Sequence, residues 1–500
     1  MTGKSALARS IADIFANSSI TVVSYFISRS TPLSRKTERL VQTLAYQLAK
    51  QDTVIRERLL ATLTSDPGIL QHNINDQMQR LIVDPLIQEH STGTKQFVVI
   101  IDGLDEAEDV QVLLSEVIEP LALVLLGLSQ RIKLIVSSRE FGALRMSLFR
   151  GKLKNFVDVQ SLNEIDEPTV RHDMRMFITA GLGRLRERAG LGPAWPTIAQ
   201  VDVLADRAGS LFIYAATVLQ FLGDVRYSPK TQLERLLDSK LCLLAAASGK
   251  ESPFSQLDAL YREVIFSFFG AVPLSLESDL LRRLRLIIAG VIYAVEPVSV
   301  RILSDIFGIP ITDIRPIVDG LTTIWLVPQD NDQPLCPYHI SFSEFICSPT
   351  RCTESLLCIP PVIGHELLGT ACVRKMERSL DRDICNLIKH GEPLPRIENY
   401  SLGMIDQSMG ATLQYACLHG LDTHFRQVMA CTDPVQWPDE KPVAKLAKFC
   451  KQHLLCWVEV RAILGEGSLD ALIRTLHQLT RTMPVCGQAQ FDFSTCLTLS

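Results

Sequence analysis

The sequence predicts an α/β domain built on a parallel sheet with helices on both faces, followed by helical domains. Three observations predict it. Phe97-Val98-Val99-Ile100-Ile101-Asp102 is five apolar residues and then an acid, the pattern of a strand buried on both faces that delivers a carboxylate at its C-terminal end. Strand-like runs alternate with segments of helical period through the first 165 residues, as parallel sheets with crossover helices require. Gly3-Lys4-Ser5 opens an amphipathic segment, so its polar residues fall at a helix start.

In chain order, residues 4–16 form a helix and Ile20–Ile27 a strand ended by Ser28-Arg29-Ser30. Arg35–Lys50 places Leu40, Leu44 and Leu48 on one helical stripe. A helix over Ile74–Glu89 precedes the Asp102 strand, and a helix over Val110–Leu126, bent by Pro120, follows it. Ile132–Val136 is the next strand, with Ser137-Ser138-Arg139-Glu140 at its end, and a further strand is expected near Phe156–Val159. Beyond residue 165 the pattern is helical, with two helices in Val201–Gly223 meeting near Gly209 and a linker over Ala247–Pro253. Helices over Leu284–Ala294, Val298–Phe307 and Ile311–Leu321 lead into strands Ile324–Val327 and Leu335–Ile340, joined through Asn331-Asp332-Gln333-Pro334. Three helices and such a hairpin suggest a winged helix. The expected domains are therefore an α/β core over 1–165, a helical domain over 166–250, a winged-helix-like domain over 251–354, a helical region over 355–480 and a disordered tail over 481–500.

Composition narrows the classes. At 47% hydrophobic and 21% charged, 500 residues carry several large cores. A net charge of -5 offers no basic surface for nucleic acid. The longest apolar runs, Leu121–Leu126 and Leu286–Val295, are too short to span a bilayer, and no signal sequence opens the chain. The 13 cysteines all lie from Cys242 onward with no CxxC pair. They read as thiols of a reducing compartment, and a cytoplasmic location is expected.

Gly3-Lys4-Ser5 is the last part of the phosphate-binding pattern G-x-x-x-x-G-K-[ST]. Lys4 would reach the β- and γ-phosphates, Ser5 would ligate Mg²⁺, and the helix N-terminus would hold phosphate charge on its amides. The first glycine and the strand before it are not in the sequence. Gly-Lys-Ser alone is a weak signal, but its pairing with a buried strand ending in Asp102 is a strong one. In open α/β sheets ligands sit at that edge. Gly103 permits a sharp turn, and Asp105 and Glu106 bring two more carboxylates to the corner, where a shared nucleotide-bound Mg²⁺ would relieve their repulsion. A strand followed by an acidic helix cap would give the same residues without chemistry. Arg139 follows its strand by two serines on the same edge and could contact a γ-phosphate; an ordinary surface arginine is the alternative.

The segment order resembles that of NACHT-domain proteins, signal-transducing (STAND-type) P-loop NTPases related to NOD-like receptors. It is closest to a fungal group with a nephrocystin-3-like N-terminal region. The resemblance rests on Gly3-Lys4-Ser5, Leu81-Ile82-Val83-Asp84-Pro85-Leu86, Ile101–Glu106, Ser137–Glu140, Gly209–Thr217 and His339-Ile340-Ser341-Phe342-Ser343-Glu344-Phe345. In the helical region it rests on Asp383–Leu387, Leu413–Cys417 and His453–Val460. The resemblance implies that Gly3, Lys4 and Ser5 form the phosphate site and that Ser5 and Asp102 hold Mg²⁺. Asp105 or Glu106 would orient the attacking water, and Arg139 would sense the γ-phosphate. His339 would touch the β-phosphate of ADP and lock a closed state; as a lone histidine it also reads as a core residue.

The implied cofactors are ATP and ADP, with GTP as the alternative, and Mg²⁺. The implied partners are the nucleotide, further copies of the chain, and effector or sensor proteins, with no nucleic acid and no membrane. The expected function is a nucleotide-dependent switch, ADP-bound and closed or ATP-bound and open, with slow hydrolysis as a reset. The missing upstream half of the phosphate loop predicts either a fragment or a degenerate member. The competing reading is therefore a non-catalytic interaction protein. A metabolic or nucleic-acid-remodelling ATPase is weakened by the absence of a basic groove.

Overall fold

The computed structural model describes residues 3–18, 20–28, 32–92, 96–127, 132–139, 144, 157–239, 254–269, 278–382, 384, 402–429 and 441–464. The chain divides into two compact units, Met1–Arg235 and Leu236–Ser500.

The first unit is built on three parallel strands, β1 (Thr21–Phe26), β2 (Phe97–Asp102) and β3 (Ile132–Val136), in the order β1-β2-β3. The register pairs Thr21 with Phe97 and Phe26 with Asp102 on one side of β2, and Phe97 with Ile132 and Ile101 with Val136 on the other. Successive side chains on a strand point to opposite faces. Phe97, Val99 and Ile101 therefore join Val23, Tyr25 and Ile27 in one core, while Val98 and Ile100 face another. All six residues of β2 are buried, which is why the strand reads as an unbroken apolar run.

The larger core is roofed by α2 (Thr37–Gln51), through Leu40, Val41, Leu44 and Leu48, and by α3 (Thr53–Ser65), through Ile55 and Leu59. Two later helical segments complete it. Both pass through a π stretch, Gln79–Val83 and Leu113–Ile118, and in each one residue separates that stretch from a proline, Pro85 or Pro120, the second residue of the following α segments Asp84–Thr92 and Glu119–Gly127. A proline lacks the N–H that would bond four residues back and its ring crowds that carbonyl, so a widened turn accommodates it. The smaller face is covered by α1 (Lys4–Ala16), where Ala8, with Ile11, Ala12 and Phe15, packs on Val98 and Ile100.

Two local expectations fail here. Helix α3 is absent from the sequence reading because only Ile55 and Leu59 are buried while Val54, Leu60 and Leu63 are exposed, a stripe too thin to recognise. Asp52 starts it by accepting from the amides of Val54 and Ile55 at 2.9 and 3.0 Å. Residues 157–159 belong to no strand, and Phe156 lies outside the described residues. Val157 and Val159 alternate with Asp158 but are exposed, so the alternation marks no core-facing surface.

Three helices follow in the same unit, Glu167–Arg188, Ile198–Ala208 and Phe212–Leu222, the last two joined through Gly209 at φ 53°. A Cβ at Gly181 would lie 2.3 Å from Leu219 Cδ1, so this glycine lets two of the helices pack closely.

In the second unit, helices Asp279–Tyr293, Val300–Phe307 and Ile311–Gly320 lead to an antiparallel pair, β4 (Trp325–Leu326) and β5 (Cys336–Pro337). The strand expected over Leu335–Ile340 is shorter than predicted, because residues 340–347 turn into the helix Ile340–Cys347. Its face is apolar: Phe342, Phe345 and Ile346 are buried, with Tyr261 edge-on to Phe342 at 5.3 Å. Pro361–Ser379, Leu402–His419 and Lys441–Ile463 pack around a core that includes Leu368, Cys372, Met376, Phe425, Phe449 and Trp457. The described cysteines are free thiols, and burial raises several of them, Cys352 to about 12, which leaves them unreactive. No helix among the described residues is long and apolar enough to cross a membrane. The expected linker over Ala247–Pro253 and the tail over 481–500 lie outside the described residues.

Candidate functional site at the C-terminal edge of the sheet

Asp102 ends β2 with its side chain almost fully buried, at 2% exposure. The register that pairs Ile101 with Val136 puts Ser137 beside it, and the Ser137 hydroxyl donates to the Asp102 carboxylate. The backbone binds the same corner together. Ile27 N–H donates to Asp102 O at 2.9 Å, Ser137 N–H to Ile101 O at 2.9 Å, and the amides of Gly103 and Leu104 to Ser137 O at 3.1 and 3.0 Å. Gly103 turns the chain at φ 77°, and a Cβ there would stand 2.7 Å from Ile27 O. Both the dihedral and the close backbone approach require glycine.

That turn carries Asp105 to the end of β3. Its carboxylate accepts from the Arg139 amide at 2.9 Å and lies 3.6 Å from Arg139 Nε. The Arg139 side chain is 39% exposed and that of Asp105 14%, so the pair sits at the surface of the sheet edge. Glu106, partly buried, closes the same short turn, Leu104–Glu106. Among the described residues no group of three or more His, Cys, Asp or Glu side chains converges on a point. Repulsion is relieved by Ser137 at Asp102 and by Arg139 at Asp105.

Gly3, Lys4 and Ser5 reach this edge by topology. Helix α1 packs on β1 and β2, and only residues 17–20 join its C-terminus to the start of β1, so it runs antiparallel to the strands. Its 13 residues and the six of β2 each span about 20 Å at the standard rise per residue. The N-terminus of α1 therefore lies at the C-terminal end of the sheet. Gly3 is its N-cap at φ 77°, in a place where a Cβ would meet nothing within 4 Å. No side chain caps the helix and no acid stands in its first turn. With Lys4 partly buried and Ser5 exposed, this start suits an anion. A phosphate group would meet a turn shaped by Gly3, the charge of Lys4 and the hydroxyl of Ser5.

His339 belongs to the second unit. It is the N-cap of the Ile340–Cys347 helix, where its Nδ1 accepts from the Ser341 amide at 3.1 Å. A cleft of the first unit along the start of the Glu167–Arg188 helix, lined by Arg171, His172 and Arg175, contains none of the sheet-edge residues.

Residues 1–139 match the family described as Nephrocystin 3, N-terminal. That region is nephrocystin-3-like. The match ends at Arg139, so it takes in every sheet-edge residue named above and none of the second unit. No curated protein matches the chain.

Sequence reasoning quoted Ser137 only as part of a segment and gave it no role. Its signal was its register position, one residue past a buried strand that neighbours the Asp102 strand.

Proposed function

We propose that the chain is a nucleotide-dependent signalling switch of the NACHT kind. The observation that carries this reading is the convergence of the Gly3-Lys4-Ser5 helix start with the hydrogen-bonded Asp102–Ser137 and Asp105–Arg139 pairs on one sheet edge. In this reading Gly3, Lys4 and Ser5 hold the phosphates, and Ser5 and Asp102 hold Mg²⁺, which would neutralise phosphate charge. Asp105 or Glu106 orients water for slow hydrolysis, and Arg139 reports the γ-phosphate. The ATP state favours self-association or effector binding.

The test is thermal unfolding with ADP–Mg²⁺ and ATP–Mg²⁺. Binding at 100 times Kd adds about 2.7 kcal/mol of stability, and Lys4→Ala should abolish that gain. A folded protein that gives no shift at millimolar nucleotide would overturn the reading. One observation favours a second reading, a non-catalytic interaction protein: Asp102 and Asp105 both have partners within the chain. That reading predicts no nucleotide effect and an unchanged Lys4→Ala variant.

A further inference from the structure

We propose that His365 and His424, wired through Tyr415 to the Val295 amide, form an acid-triggered latch. As a neutral pair they hold the π turn Gly420–Phe425 on the helix Pro361–Ser379, and one added proton releases the turn. The latch lies wholly within the second unit and involves no nucleotide. Three hydrogen bonds carry it. His365 Nδ1 lies 3.0 Å from His424 Nδ1, His424 Nε2 lies 3.0 Å from Tyr415 OH, and the Val295 amide donates to that hydroxyl at 3.2 Å. Tyr415 belongs to the helix Leu402–His419 and Val295 follows the helix Asp279–Tyr293, so the chain of bonds ties four segments together. The turn packs closely: a Cβ on Gly369 would stand 3.3 Å from His424 Cβ. His424 is fully buried and Tyr415 6% exposed, whereas His365 is partly buried and is the side from which a proton arrives.

The Val295 amide fixes the direction of the chain. An N–H can only donate, so the Tyr415 oxygen accepts from it and the Tyr415 O–H is turned to His424 Nε2. A neutral His424 then carries its proton on Nδ1 and donates it to His365 Nδ1, which leaves the His365 proton on Nε2. Both basic nitrogens of the pair are thus already receiving hydrogen bonds. A second proton, placed on His365 Nδ1, sets two N–H groups against each other at 3.0 Å. Shifting the His424 proton to Nε2 instead sets it against the Tyr415 O–H. Neither ring can gain a proton without breaking a bond between segments.

The surrounding groups do not relieve the conflict. His419, whose ring lies 4.9 Å from that of Tyr415, joins His365 in opposing charge on His424, after burial itself. Tyr293 stands edge-on to His365 at 5.2 Å and donates to the Ile359 carbonyl. The buried Cys372 and Cys417 thiols are held neutral by burial. Of the acids, Glu296 is exposed, Asp422 is paired with Arg461 at 2.8 Å and Asp305 with Lys375 at 2.8 Å. Glu366 follows His365 in its helix and so stands about 100° around it, and Arg426, just after the turn, is exposed.

The experiment is hydrogen–deuterium exchange of the full chain at about pH 7.5, 6.5 and 5.5, read by mass spectrometry as protection factors, which divide out the intrinsic pH dependence of exchange. Peptides covering Tyr415 to Met429 should lose protection on acidification. Below the ordinary histidine value of 6.5 the loss should approach about tenfold per pH unit for each histidine that takes up a proton on opening. Peptides covering β2 should keep their protection. His365→Gln can accept from His424 but takes up no proton, and Tyr415→Phe frees His424 Nε2 to take one in place, so both should flatten the response. Unchanged wild-type protection from Tyr415 to Met429 across this range would overturn the latch. An equal loss over β2 would overturn it too, since that marks global unfolding. A folded His365→Gln variant as acid-sensitive as the wild type would remove the histidine pair from the explanation.

Discussion

The Ser137 hydroxyl donates to the Asp102 carboxylate across the ends of two adjacent parallel strands. Asp102 is nearly inaccessible to water, so this bond cannot be replaced from solvent without opening the edge. Ser137→Ala should therefore cost about 1–3 kcal/mol, the range for a buried acceptor losing its donor. Urea unfolding measures it. Ser138→Ala should cost less, because the Ser138 hydroxyl bonds the carbonyl of Arg139 next in sequence. Equal losses in the two variants would show that Ser137 has no special hold on Asp102.

Gly103 and Gly3 share the same left-handed dihedral, φ 77°, but differ in surroundings. Gly3→Ala meets only the backbone penalty, about 1–2 kcal/mol. Gly103→Ala adds a collision with Ile27 O at 2.7 Å and must displace the end of β1. It should be clearly the more destabilising of the two in the same unfolding assay. The reverse order would contradict the turn geometry.

Arg351 forms a two-pronged pair with buried Asp258, at 2.6 and 3.1 Å. Burial raises the Asp258 carboxyl above its usual 3.8 even though Arg351 pulls it down. Arg351→Ala leaves a buried carboxylate without its main partner and should cost about 3–5 kcal/mol near pH 7. The sign with pH follows from the raised value. The folded state holds the proton more tightly than the unfolded state, so the penalty grows as pH rises through the folded value and shrinks toward pH 4. Adding Asp258→Asn should recover part of the loss at neutral pH.

His424 is fully buried, bonded to His365 Nδ1 and Tyr415 OH at 3.0 Å each. Burial, then the neighbouring His365 and His419, lower it from 6.5 to about 3. The unfolded chain thus takes up a proton below pH 6.5 that the folded chain refuses, and stability falls between pH 6.5 and about 3, by up to about 1.4 kcal/mol per pH unit. His365 is also lowered by burial and acts in the same direction. His424→Gln should flatten the pH profile of denaturant midpoints over that window. A profile as steep as the wild type would assign the effect elsewhere.

The sheet was legible because β2 is buried on both faces, which leaves an uninterrupted apolar run that no helix of similar length imitates so well. The sheet-edge acids were legible because a charge directly after such a run can only stand at its end. The missing pieces share one cause: they depend on neighbours distant in sequence. Ser137 gains meaning only from the register that sets it beside Asp102. Ser341 and Tyr261 are 80 residues apart and meet through a hydroxyl contact that no local pattern encodes. Helix α3 buries two side chains on a surface supplied by other elements, so its own periodicity is faint. The shortened strand before His339 reflects the same limit. Ile340 to Ser343 alternates apolar and polar residues as a strand would, yet the tertiary core takes Phe342, Phe345 and Ile346 at helical spacing.

The two faces of the sheet are unequally insulated, and that asymmetry sets an order of opening. Helix α2 is sealed over a broad core through six buried residues, whereas α1 buries only Ala8 fully against Val98 and Ile100 and leaves Leu7 and Ile14 exposed. Amide hydrogens of α1 should exchange with solvent long before those of β2, since local opening free energy follows buried apolar contact. Lys4 and Ser5 ride on that lightly held helix. Any anion caught there would slow exchange in α1 while leaving the deep protection of β2 unchanged, so occupancy of the edge would register as order gained by one helix.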